Sequence, residues 1–250
     1  MRRYDLTIIA GFGIGIAAIA AGAWLDGLNL AFLWHPTAAL IVFGGTLGAV
    51  TVRRGFAGVR SALSAILNLR RSANEAEERK LELAKLAWLA RSAQKSGVKV
   101  YENHAAATTD PLVSRGLAMV ADRSQPTEVE QVLMRQLVLE NQTGREDAAT
   151  LEAAGGFAPT FGIVGAVLGL IGVLRVLDKP EVLGVGIATA FVATLYGIGV
   201  ANLFFFPLAA RLRALHESKM RHREEVASVI LALATWDTPL SIANRFNIQK

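Results

Sequence analysis

The sequence predicts an all-α integral membrane protein with four transmembrane helices and a helical cytoplasmic domain between the second and third. Three observations carry that prediction. Four apolar stretches are each long enough to cross a bilayer, which takes about 20 residues. The two short linkers that join those stretches in pairs hold only two of the 26 basic residues. The remaining segments show the i, i+3, i+4 apolar spacing of helices, and no strand-like alternation stands out. The composition agrees: 52% of the 250 residues are hydrophobic, and the mean hydropathy is +0.38, high for a soluble domain.

The first two spans are Leu6–Leu25 and Leu30–Val52. Arg2 and Arg3 precede the first, but it is too long for a typical signal-peptide core and a second span follows closely, so it is read as a membrane helix. The linker Asp26–Asn29 has no basic residue, and the later linker Arg175–Glu181 has only Arg175 and Lys179. All other Lys and Arg lie at the N-terminus, between Arg53 and Glu152, or after Leu208. The positive-inside rule therefore places both termini and the middle segment in the cytoplasm, with the short hairpins outward. Trp24 and Trp34 suit the outer interface. Basic residues retained on the inner side account for the net charge of +5 without nucleic acid. The absence of cysteine excludes disulfides and thiolate metal sites.

Residues 53–152 form the expected cytoplasmic domain. Asn74–Lys95 has acidic residues early and basic ones late, matching the helix dipole, and Leu83, Leu86, Ala87 and Ala90 make its apolar stripe. Gly97 is expected to end it. A short helix is expected over Asp110–Val120. Pro126 and Thr127 start another, with Thr127 and Glu130 spaced as a capping box and Val129, Leu133 and Leu137 as its buried stripe.

Residues 153–208 carry the third and fourth spans, Ala153–Leu174 and Val182–Leu208. Neither contains Asp, Glu, Lys, Arg or His. Gly162, Gly165, Gly169 and Gly172 fall on one face of the third helix. Gly186, Ala190, Ala193, Gly197 and Ala201 do the same on the fourth, and Gly11, Gly15, Ala18 and Gly22 on the first. Such faces let membrane helices pack closely; the other reading is that one of them lines a path. Pro159 and Pro207 each remove a backbone donor near the cytoplasmic side. They either punctuate the helices or leave carbonyls at a common level for something in transit. Thr160 and Thr194 either bond back to their own helices or face that path. Membrane proteins that carry protons usually place a carboxylate or histidine in the membrane. The spans are expected to supply none, so a titrating group would come from another subunit. Residues 209–250 read as a charged amphipathic helix to about Trp236, then a tail. No enzyme motif appears, no cofactor is expected, and the scattered histidines suggest no metal site.

The run beginning at Ala154 (AGGFAPTFGIVGAVLGL), with Leu183-Gly184 and the run beginning at Ala190 (AFVATLYGI), resembles the MotA/PomA flagellar stator subunits within the MotA/TolQ/ExbB proton channel family. The likeness covers the whole chain. The stretch Asp110–Asp122 also resembles the family's cytoplasmic motif. The resemblance implies a homo-pentamer, in the bacterial inner membrane, around a MotB-like single-span subunit that binds peptidoglycan and supplies the ion-binding aspartate. It implies an ion path at Pro159, Thr160, Thr194 and Pro207, and contact with the rotor protein FliG through charges of the inner domain. There Lys95 and Glu102 match, while Gln94 stands where the family has arginine; Arg91, one turn earlier, is the substitute. Sodium-type members carry threonine at the position of Ala166, so protons are the expected ion and Na+ the alternative. An ExbB/TolQ-like energiser of an envelope machine is the alternative function; it predicts three spans and an outward N-terminus.

Overall fold

The computed structural model describes residues 6–27, 30–69, 75–178, 180–238 and 240–242. Arg2, Arg3, Asn74, Lys179 and the tail beyond Ile242 lie outside the described residues. All regular structure among the described residues is helical. The elements are α1 (Leu6–Leu25), α2 (Pro36–Ala39), α3 (Gly45–Asn68), α4 (Glu75–Ser96), α5 (Lys99–Ala107), α6 (Pro111–Ala121), α7 (Pro126–Leu174), α8 (Pro180–Val200) and α9 (Phe206–Ala234). A π turn, Leu40–Gly44, joins α2 to α3, and another, Ala201–Phe205, joins α8 to α9.

Among the described residues three helices are long and apolar enough to cross a membrane: Pro36–Leu67, Pro126–Leu174 and Leu183–Ala234. Ala10–Leu25 is a shorter apolar helix. The first of the long helices is broken at Gly55, whose φ of 68° and ψ of 169° suit glycine. The helix expected from Pro126 and the third span are one element. α7 runs through 49 residues, about 73 Å at the α-helical rise, and holds Pro159 in its interior. α8 continues likewise through its π turn into the charged C-terminal helix. Sequence reading divides these helices because their composition changes abruptly near Ala153 and Leu208; backbone geometry does not follow composition.

The chain forms two compact units. One combines Met1–Arg71 with Arg145–Arg213; the other combines Ser72–Gly144 with Ala214–Lys250. In the second unit the expected stripes are inside: Leu86, Ala87, Ala90, Val129, Leu133 and Leu137 are all buried. All but Ala87 meet Leu112 and Leu117 of α6 and Val226, Val229, Ile230 and Leu233 of α9, with Leu83 half-buried against them. Burying each large aliphatic side chain contributes about 1.5–3 kcal/mol. Gly97 ends α4 with φ +74°, as expected. α5 was not expected: its run of Tyr101, Asn103 and Thr108 lacks a strong helical stripe. Burial of Tyr101 and Ala105 fixes it. The capping box is a correction. Pro126 is the first helical residue, and the Gln125 carbonyl accepts from Glu128 and Val129, so Thr127 is already inside the helix.

Candidate ion path and charged unit

The glycine faces of α7 and α8 meet. A Cβ on Gly162 would stand 2.9 Å from the Ala193 carbonyl and 3.3 Å from Thr194 Cα. One on Gly169 would stand 2.7 Å from the Gly186 carbonyl and 2.8 Å from the Ala190 nitrogen. One on Gly197 would stand 2.6 Å from the Ala158 carbonyl and 3.1 Å from Pro159 Cα. These are backbone atoms, so the helices touch main chain to main chain, as small-residue faces permit. Gly172, Gly11 and Gly22 have nothing within 4 Å of such a Cβ and take no part in packing within the chain.

This packing sets Pro159 against Gly197 and places Thr194 at the neighbouring level of α8. Pro159 lacks the amide that would bond the Gly155 carbonyl, one turn back in α7. Thr194 is half-buried and its hydroxyl donates to the Ala190 carbonyl, 3.1 Å. Thr160 is exposed and donates to the Phe157 carbonyl, 2.6 Å. Ala166, two turns beyond Pro159, is half-buried. Pro207 is not at the level of Pro159. It lies about ten residues past Gly197, roughly 15 Å of helix rise, where Phe206 packs on Gly155. There it lines an open cavity of about 330 Å³ with Gly11, Phe12, Asn202, Leu203 and Arg211. The structure therefore sets Pro159 against Gly197 and Thr194, one turn away, against Gly162, and leaves Pro207 further along the helix.

The expectation of no titratable group in any span needs correction. His35 belongs to the Leu30–Val52 stretch and immediately precedes α2. Its Nε2 lies 3.2 Å from the hydroxyl of Thr189, a buried residue of α8. His35 escapes notice in the sequence because it borders a proline and an outer hairpin, where histidine is unremarkable.

In the second unit Arg91 and Lys95 are exposed one turn apart on α4, and Glu102 is exposed on α5. Tyr101 and Ala105, buried on the other side of α5, turn Glu102 outward. The same unit holds an ion cluster that sequence reading missed. The Arg223 guanidinium of α9, only 8% exposed, holds two carboxylates. It donates through Nη1 and Nη2 to Asp110, the latter at 2.8 Å. It donates through Nε and Nη2 to Glu140, each at 2.9 Å. Asp110 also caps α6, accepting from Leu112 at 2.9 Å and Val113 at 3.4 Å. Burial alone raises the pKa of Asp110, but the Arg223 hydrogen bonds and charge, with the two amides, hold it below the usual carboxylate range. Glu140 is likewise pushed up by burial and down, by more, through Arg223 and Gln136. Burial works against the Arg223 charge, and its two carboxylate partners more than restore it. The Asp110-Pro111 pair was a legible N-cap signal; Arg223, inside a run of charges, gave none.

These features define a helical membrane protein with a charge-free hairpin packed main chain to main chain and a second, charged helical unit. Residues 104–225 match the MotA/TolQ/ExbB proton channel family. Motility protein A of Helicobacter pylori is 30% identical over 245 residues, covering 96% of this chain and 93% of that protein. Motility protein A of Bacillus subtilis is 26% identical over 241 residues, covering 96% and 89%. The solved structure of C. jejuni MotAB aligns with a TM-score of 0.85 at 25% identity, over 98% of this chain and 96% of that one. The chain belongs to the MotA/TolQ/ExbB proton channel family, on its flagellar motility branch, and is a channel-type motor subunit rather than an enzyme.

Proposed function

We propose that this chain is the ring-forming stator subunit of a bacterial flagellar motor, coupling inward proton flow to torque on the rotor. The observation that supports the reading is the contact of α7 and α8, in which Pro159 packs on Gly197 and Thr194, one turn away, on Gly162, in spans that hold no charge of their own. In this reading α1 joins the three long apolar helices as a fourth span, and both termini and the charged unit face the cytoplasm. Residues 1–52 and 153–208 form the membrane part, 53–152 and 209–250 the cytoplasmic part. Five copies surround a MotB-like single-span subunit, whose aspartate binds the ion between Pro159 and Thr194. Thr160, Ala166 and Pro207 border the same path at other levels. Ala166 offers no hydroxyl to a dehydrated sodium ion, which supports protons. Arg91, Lys95 and Glu102 present the alternating charge that a rotor protein such as FliG would meet. The match along nearly the whole length of the motility proteins supports this reading over an envelope energiser.

The test is complementation. Cells lacking their own stator ring subunit, given this chain and its partner subunit, are scored for swarming. Recovery with the native sequence and loss with Pro159→Ala or Lys95→Glu are expected. Unchanged motility in both variants would overturn the assigned roles.

A further inference from the structure

Two residues of the charged unit hold a backbone conformation that their side chains disfavour. Arg123, at φ 55°, and Trp236, at φ 59°, are the non-glycine residues with positive φ among those described. Each lies just past the end of a helix, in the place a capping glycine usually takes. After α6 the Arg123 amide donates to the Val120 carbonyl, 3.2 Å, and the Ser124 amide to Met119, 3.0 Å. After α9 the Trp236 amide donates to Leu233, 3.2 Å, and the Asp237 amide to Ala232, 3.1 Å. α4 ends with the same sign of φ at Gly97, which adopts it without steric cost. A bulky side chain there is strained, and strain of this kind gathers where the side chain serves a function.

The two side chains face each other. The Arg123 guanidinium carbon stands 5.8 Å from the centre of the Trp236 ring, within cation–π range. The ring does not fill the core: it is 55% exposed and lies outside the buried cluster of its unit. Arg123 is exposed as well and forms no ion pair among the described residues, so the N–H donors along its edge are open to an acceptor. The pair also has a defined level. Arg79 of α4 donates to Ser218 Oγ, 2.7 Å, and Glu82 lies 2.7 Å from His222, so α4 and α9 run side by side in one direction. Lys95 follows Glu82, and Trp236 follows His222, by nearly the same length of chain, roughly 20 Å of rise. Trp236 and Arg123 therefore stand at the end of the unit that carries Lys95. Acidic Glu102, Asp122 and Glu128 are exposed among the cations there, so any attraction is residue by residue rather than one of net charge.

We infer that Trp236 and Arg123 form a docking anchor for a partner protein at the Lys95 end of this unit. The chemistry it fits is a carboxylate flanked by an aliphatic side chain. The Trp236 face covers the aliphatic group, and the Arg123 guanidinium, already oriented by the ring, takes the carboxylate through two parallel N–H bonds. Tryptophan and arginine are also the residues that most often dominate binding at protein interfaces. The inference rests on the reading that this end of the unit meets the rotor protein.

The experiment uses the full chain with its partner subunit, in cells lacking their own stator ring subunit. A photo-reactive phenylalanine replaces Trp236 in one strain and Lys95 in another. Adducts with the rotor protein are expected from both positions. An adduct from Lys95 alone would overturn the anchor and leave the rotor reading standing; none from either would overturn both. Adducts from position 236 that hold only a second copy of this chain, or only lipid, would also overturn the anchor. Affinity of the reconstituted complex for purified rotor protein supplies the second reading. Glycine suits the φ of residue 236, so Trp236→Gly should change the thermal unfolding midpoint little while weakening that affinity roughly tenfold or more. Arg123→Asn keeps a residue that tolerates positive φ and removes the guanidinium; it should show the same pattern, and it carries the test should Trp236→Gly fail to assemble. A lowered midpoint with unchanged affinity would assign the pair to helix capping alone and overturn the inference.

Discussion

Gly197→Ala puts the packing of the membrane hairpin under a direct steric load. The new methyl would lie 2.6 Å from the Ala158 carbonyl oxygen, 3.1 Å from Gly162 Cα and 3.1 Å from Pro159 Cα. Carbon–oxygen contacts settle near 3.3–3.6 Å, so α7 and α8 must part by roughly 0.7–1 Å. A gap of that size forfeits about a quarter to a half of each dispersion contact along the seam. Overpacking of this kind costs about 1–3 kcal/mol, offset by the roughly 0.5–1 kcal/mol that alanine gains over glycine inside a helix. The net loss, centred on about 1.3 kcal/mol, lowers the unfolding midpoint by roughly 2–5 °C for a chain this size. Gly172→Ala is the matched control. It makes the same substitution on the small-residue face of the neighbouring helix, α7, but its methyl meets nothing within 4 Å. It should leave the midpoint unchanged or raise it slightly. Thermal unfolding of the reconstituted protein reads both. Equal midpoints for the two variants would refute the main-chain contact, and with it the placement of Pro159 beside α8.

Further outcomes follow from other sites. Arg223→Met strands Asp110 and Glu140 without their cation; allowing for the water both carboxylates still touch, the loss is on the order of 2–4 kcal/mol, read by urea unfolding. Both carboxylates have depressed folded pKa values, so their contribution is complete above the unfolded carboxylate pKa and is lost as pH falls through the folded values. Acid unfolding should therefore flatten in Asp110→Asn combined with Glu140→Gln. Gly55→Ala forces a side chain into a backbone region that is nearly glycine-only; a cost of about 1–3 kcal/mol in thermal unfolding is expected. Thr194→Val removes a hydroxyl already satisfied by Ala190, so stability should change little while motility falls. A large stability loss with intact motility would reverse that assignment.

Much of the fold is legible in the sequence because membrane helices obey local rules. Charge-free runs, glycines at helical spacing and the scarcity of basic residues in the linkers each follow from the solvent that surrounds the chain. The stripe of Leu86, Ala87 and Ala90 and the stop at Gly97 follow from helix geometry in the same way. What the sequence hid was long-range. It equated Gly172 with Gly162, Gly165 and Gly169, since periodicity marks a face but not how far a neighbour extends along it. It put Pro159 and Pro207 at one level, since composition cannot show that α8 runs on into α9 without a break. Arg223 was hidden among charges, and its value comes from Asp110 and Glu140, more than eighty residues away in the chain. His35 was hidden by the proline after it. Of the site residues, Pro159 and Thr194 carry recognisable motifs, whereas Lys95, Glu102 and Arg91 read as any solvated helix surface would.

Rotation of single tethered cells is the most direct measurement of the central claim. Cells without their own stator ring subunit, supplied with this chain and its partner, would be held in sodium-free medium and their rotation followed as a protonophore is added. The account predicts rotation without sodium, its collapse when the proton gradient is dissipated, and none in Pro159→Ala. Rotation that needs sodium, or that survives loss of the proton gradient, would contradict it.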